Sequence, residues 1–187
     1  MLKDLVAKNR SYRRFYQDVT ISTNSLLELI ELARLTATGA NKQSLKFKLI
    51  NNTKENEKVF SCLSWAGYLA DWKGPEEGEK PSAYIIILND TTIKQNPQYD
   101  VGLACQSILL GAVEKGLGGC IFASVNREQL REYFVVPEEY DITLVIALGK
   151  PKEEVVIDDV INGNIKYWRD DKQVHHVPKR KLEDILL

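Results

Sequence analysis

A chain of 187 residues, 44% hydrophobic and 27% charged, can bury one substantial core, so a single domain over 1–187 is expected. Its net charge of −1 excludes a general attraction to nucleic acid or anionic membrane and leaves only local basic patches. Cys62, Cys105 and Cys120 are odd in number and widely spaced, which suits reduced, buried thiols and a cytoplasmic setting. No window nears the roughly 20 apolar residues of a membrane span, and the opening residues lack the apolar run of a signal peptide.

Residues 2–8 read as a short helix with Leu2, Leu5 and Val6 on one face. It delivers Asn9-Arg10-Ser11-Tyr12-Arg13-Arg14-Phe15, where guanidinium forks and a hydroxyl are well suited to a phosphate dianion. Such a cluster is also common on plain solvated surface, and Arg14 reads equally as facing solvent or a carboxylate. A helix follows at about 25–37, with Ser25 and Glu28 at capping-box spacing, Leu26, Leu27, Ile30, Ala33 and Ala37 as its stripe, and Gly39 as terminator. Residues 45–51 alternate as a strand, and a helix near 53–62 is expected next.

Trp65, Tyr68 and Trp72 read two ways, as aromatic residues packed into the core from a helix or as a wall over a ligand site. Residues 73–82 carry two Pro, two Gly and no apolar side chain, and are the expected flexible loop. The β-branched run at 83–88 has the pattern of a central strand buried on both faces. Residues 99–115 form a helix apolar nearly all round, which needs partners on several sides and points to a homodimer.

Gly116-Leu117-Gly118-Gly119 ends that helix and is no dinucleotide fingerprint, because it follows a helix instead of opening one. A short strand starts at Cys120, Asn126 and Gln129 suit the cap of a helix at about 127–134, and 142–148 is a further buried strand. The remaining residues read as a polar, irregular tail, with a C-terminal arm at about 163–187. It holds the basic cluster Lys179-Arg180-Lys181, which as a plain sequence feature is a solvated tail.

Metal chemistry has little support, since His175 and His176 are adjacent and no Cys, Asp or Glu group stands at ligand spacing around them. A hydrolytic triad lacks an identifiable nucleophile. No side chain is assigned a catalytic role, and a cofactor carrying the difficult chemistry fits better.

Ordered blocks along nearly the whole chain resemble the flavin-dependent nitroreductase family: Arg10-Ser11-x-Arg13-Arg14-Phe15, Thr38-Gly39-Ala40-Asn41-x-Gln43, Asp100-x-Gly102-x-Ala104-x-Gln106, Gly116-Leu117-Gly118 with Cys120, Ala147-Leu148-Gly149-x-Pro151, and a closing Pro178-Lys179-Arg180-Lys181-Leu182-Glu183. The resemblance implies an α+β fold, a central mixed or antiparallel β-sheet flanked by helices, with FMN sites at a homodimer interface. It implies that Arg10, Ser11 and Arg13 contact the FMN phosphate, ribityl chain or ring edge, that Arg180 closes on the phosphate, that Asn41 and Gln43 meet the ribityl chain or polar flavin edge, and that the backbone at Ala123 and Ser124 lies beside the reactive flavin nitrogen. The activity implied is NAD(P)H-dependent, ping-pong reduction of nitroaromatic, quinone or related acceptors. A specialised flavin enzyme, such as a dehalogenase or biosynthetic oxidase, and a non-catalytic FMN-binding protein are the alternatives. Ser44-Leu45 stands where family members often carry Pro-Trp, and neither the physiological acceptor nor a choice between NADH and NADPH is legible.

Overall fold

The computed structural model describes residues 1–187. Five helices are present: α1 (Leu2–Lys8), α2 (Thr23–Leu35), α3 (Thr53–Ser61), α4 (Gln98–Glu114) and α5 (Arg127–Phe134). Among them run β1 (Phe15–Tyr16), β2 (Leu45–Ile50), β3 (Ala83–Asp90), β4 (Gly118–Phe122) and β5 (Tyr140–Pro151). These five strands make one sheet in the order β1-β5-β3-β2, with β4 also on β5, and every pairing between them is antiparallel. The result is an α+β fold with helices on both faces of an antiparallel sheet.

The continuous apolar run of β3 is explained by those two faces. Ile85 and Ile87 join Leu26, Leu29, Ala104, Ile108 and Leu109 under α2 and α4. Tyr84, Ile86 and Leu88 point the other way, toward Val59 and Leu130 of α3 and α5. A strand with period-two side chains and a core on each side has no solvent face to mark with polar residues. β5 repeats the arrangement, with Ile146 and Leu148 in the first core and Val145 and Ala147 in the second.

Three local expectations are corrected. Ser22, not Ser25, caps α2: its Oγ accepts the Ser25 N–H at 3.0 Å, and α2 ends at Thr36, before Gly39. Residues 63–72 are turns instead of a helix: Trp65 packs on Trp72 and Phe122 while Tyr68 packs on Tyr167, so the aromatic residues form no single helical face. The C-terminal residues are not irregular: β6 (Val155–Asp159) pairs parallel with β8 (His175–Lys179), which pairs antiparallel with β7 (Trp168–Arg169). Polar side chains hide this small sheet from a hydropathy reading because it packs through ion pairs and aromatic rings.

The loop at 73–82 is tied to the start of the chain. Glu79 O accepts the Phe15 N–H at 2.9 Å, and the Glu79 carboxylate grips Arg14 and Lys152. In α4 the expected all-round apolarity becomes one buried face and one open one, where Tyr99 and Leu103 are exposed.

Candidate functional site

After α1 the chain leaves the helix through the extended residue Asn9 and runs along β4. Ser11 bridges Gly119 in parallel, and Tyr12 N donates to Gly119 O at 3.0 Å. Gly118 permits this close approach, because a Cβ there would lie 2.5 Å from Tyr12 Cδ2, while at Gly119 a Cβ would lie 2.5 Å from the Ala147 carbonyl oxygen of β5. A cleft of about 310 Å³ results, with Arg10, Ser11 and Arg13 on one wall, Gln106 and Gly119 on the floor, and the small sheet opposite. From that sheet come Tyr167, His175 and Lys179.

The charges in this corner sort into two groups. Arg14 forms a bidentate pair with Glu79, at 2.6 and 2.7 Å, and these bonds from the guanidinium, with Lys152 beside it, hold the Glu79 carboxyl down at about 2. Arg169 pairs with the buried Glu153 at 2.9 Å and stacks its guanidinium over Trp72. Arg10, Arg13 and Lys179 form no salt bridge at all. Arg10 donates from Nη2 to Val6 O at 2.9 Å while its buried Nε–H has no partner. Arg13 donates from Nη1 to Ser11 O at 3.2 Å, faces His175 Nε2 at the same distance, and lies 4.7 Å from the Tyr167 ring centre. Three cations without carboxylates, one with a buried orphan donor, suit a multiply charged anion such as a phosphate ester.

The aromatic segment divides between its two readings. Trp65 belongs to the core, edge-on to Phe122 at 4.6 Å. Tyr68 packs tilted against Tyr167, ring centres 4.9 Å apart, and the Tyr167 ring lines the cleft, so the segment supports the wall from behind.

Of the residues singled out from sequence, Arg10, Ser11 and Arg13 share this cleft. Arg180 is exposed and does not line it; its neighbour Lys179 does, because β8 sends His175, Val177 and Lys179 to one side. Gln43 lies in a different groove, of about 240 Å³, with Thr38, Asp100 and Ala104. Asn41 is exposed on the same turn, where Ala40, Asn41 and Gln43 all have φ near +50° (51, 51 and 50). That turn is anchored by Asp100, which accepts the Gly39 N–H at 2.8 Å and pairs with Lys94 at 2.5 Å. Ala123 and Ser124 are exposed just past β4, outside the cleft, their carbonyls accepting from Arg127 and Ser64. Sequence reasoning passed over Gln106, Gly119, Tyr167, His175 and Lys179 as cleft residues. The alternation His175-x-Val177-x-Lys179 was the available signal that three side chains share one face of a strand.

The fold is α+β, and its cleft gathers Arg10, Arg13 and Lys179 beside β4 with no carboxylate partner. The nitroreductase family model matches residues 6–150, more than half of the chain, and the chain belongs to that family. An Archaeoglobus fulgidus protein with the provisional name NADH dehydrogenase/NAD(P)H nitroreductase is 26% identical over 149 residues, 75% of this chain and 80% of that protein. The iodotyrosine deiodinase of Thermotoga neapolitana is 22% identical over 169 residues, 82% and 90% of the two chains. Among solved structures, a provisionally named nitroreductase of Exiguobacterium sibiricum in complex with FMN has the same fold, with a TM-score of 0.67, 17% identity, and coverage of 81% of this chain and 89% of its own.

Proposed function

We propose that this protein is an FMN-dependent oxidoreductase that takes reducing equivalents from NAD(P)H and delivers them to a nitroaromatic, quinone or related acceptor. The observation that carries the reading is the set of uncompensated cations in one cleft, Arg10, Arg13 and Lys179, with the Arg10 Nε–H left buried and unpartnered. When bound, FMN supplies reversible hydride acceptance and donation, which no side chain here can do. Arg10, Arg13 and Lys179 hold the phosphate, and Ser11 and Gln106 offer hydrogen bonds to the ribityl chain.

Gln43 stands in a groove separate from the cleft on the same chain, and Asn41 is exposed on the same turn. A homodimer joined along the exposed face of α4 would bring that turn to the cofactor of the other copy, with Asp100 holding it in register. Tyr99 and Leu103 give this face the apolar side chains a stable interface needs. Ala123 and Ser124 then border the ring end of the site, with Arg180 next to the phosphate end. No helix is long and apolar enough to cross a membrane, and three free thiols suit a reducing, cytoplasmic setting.

The visible spectrum of purified protein tests the cofactor, because oxidised flavin absorbs in two bands that an apoprotein lacks, and heat release identifies FMN. Oxidation of NADH or NADPH with a quinone or nitrofuran tests turnover. A halogenated phenol included among the acceptors tests the dehalogenation alternative. Tightly bound FMN with no turnover across all acceptors would instead support a non-catalytic flavoprotein.

A further inference from the structure

Glu153 lies just beyond β5, outside the residues matched by the family model, yet two distant segments meet at its carboxylate. Its side chain is fully buried. Oε1 accepts the backbone N–H groups of both Arg13 and Arg14, the latter at 3.2 Å. Oε2 accepts from Arg169 Nη2 at 2.9 Å. Arg169 sits on β7, whose partner β8 carries His175 and Lys179 to the cleft. A buried carboxylate is retained at a cost unless each oxygen is satisfied, and here the satisfying donors are the two ends of the anion site.

We infer that Glu153 is a positioning residue for the phosphate cradle, an inference that rests on the FMN reading above. One oxygen fixes the backbone from which Arg13 rises. The other docks the sheet that brings Lys179 to the same cleft. Glu153 also neutralises Arg169, so that Arg169 does not compete with Arg10 and Arg13 for the ligand phosphate. Glu153→Gln keeps the size and the Oε1 acceptor but sets an amide N–H against the Arg169 guanidinium, donor against donor. The cradle then loses its alignment while the ring-binding surface at β4 is untouched.

The test compares FMN with riboflavin, which has the ring and ribityl chain but no phosphate, by fluorescence titration of flavin-free protein. In Glu153→Gln the FMN dissociation constant should rise on the order of tenfold, the loss of about one charge-assisted contact, while that for riboflavin changes less than about twofold. Equal weakening of both flavins, or of neither, would overturn the positioning role. Glu79→Gln, which frees Arg14 outside the cleft, should leave the FMN-to-riboflavin ratio unchanged; a matching loss there would mean that any buried charge in this corner suffices. If Glu153→Gln does not fold, Arg169→Gln decides, because it releases the same sheet from the other side, and an unchanged ratio in it refutes the inference. Failure of both variants to fold would assign Glu153 to stability alone. Wild-type protein that binds neither flavin would overturn the FMN reading itself, before Glu153 is in question.

Discussion

Arg13 and His175 stand 162 positions apart and meet side by side, Nη1 to Nε2 at 3.2 Å, both buried. A guanidinium can only donate, so Nε2 accepts and the imidazole is neutral with its proton on Nδ1. Burial, and after it the charges of Arg13, Arg169 and His176, pushes His175 down to about 4. A histidine whose folded value lies below its unfolded 6.5 contributes stability that is complete above about pH 6.5 and lost as the pH falls toward 4. The expected loss between pH 7 and pH 5 is on the order of 2 kcal/mol. Urea unfolding at the two pH values measures it, and His175→Gln, which keeps an acceptor for Arg13 but cannot titrate, should flatten the difference. An equal slope in that variant would show that other groups carry it. The Glu79 carboxylate, held near 2, contributes stability that is complete above about pH 4.5 and lost as the pH falls toward 2.

Arg10→Ala and Arg13→Ala should each weaken FMN binding markedly, by about tenfold or more, since each removes a cation that has no carboxylate partner in the protein. Lys179→Ala should follow closely, and Arg180→Ala should cost less, because Lys179 and not Arg180 lines the cleft. Flavin content and dissociation constants of the four purified variants check the ranking. A larger loss in Arg180→Ala than in Lys179→Ala would place the tail differently in the assembled protein.

Much of this was legible because hydrophobic period is a direct imprint of burial. The continuous run of β3 has one simple explanation, a strand between two cores, and the apolar residues of α4 mark the face it buries in the first core. The Arg10 to Arg13 cluster was legible because charge density needs no fold to be seen. What stayed hidden depends on long-range pairing: β6, β7 and β8 are held by Glu153 with Arg169, His176 with Asp158 and Trp168 stacked on His176, none of which leaves a periodic mark. Lys179 could not be chosen over Arg180 until the register of β8 was known.

Gly119→Ala should destabilise the fold by about 2 kcal/mol, because the added methyl would meet the Ala147 backbone oxygen and the Leu109 side chain. Relief requires β4 to move away from β5, and with it the bridge to Ser11. Thermal denaturation and FMN affinity should therefore worsen together. A stable variant with unaltered flavin affinity would mean that the backbone yields without disturbing the cleft.

The exposed face of α4 sets the next expectation. Leu103 is 47% exposed and Tyr99 86%, an arrangement costly for a free monomer but natural beneath a second copy. Leu103→Glu should convert a dimer into a monomer in light scattering at micromolar concentration and should release FMN, since the Asn41 turn would no longer reach it. A wild-type monomer that still holds FMN would contradict the proposed assembly.

The last expectation concerns the order of events at the cleft. Its floor is Gln106 with the strand at Gly119 and Cys120, and the opposite wall is closed by Tyr167 and His175, with the Tyr68 ring tilted against Tyr167. A planar ring lying on that floor would have one face against protein and one open to solvent. Nicotinamide and acceptor would then need the same open face, and each would have to leave before the other entered. Double-reciprocal plots at several fixed acceptor concentrations should give parallel lines, and a dead-end analogue of the acceptor should slow flavin reduction by NAD(P)H in stopped flow. Intersecting lines would establish a ternary complex and reject the single-face scheme. The flavin assignment would survive that result, because it rests on the cations at Arg10, Arg13 and Lys179 and not on the kinetics.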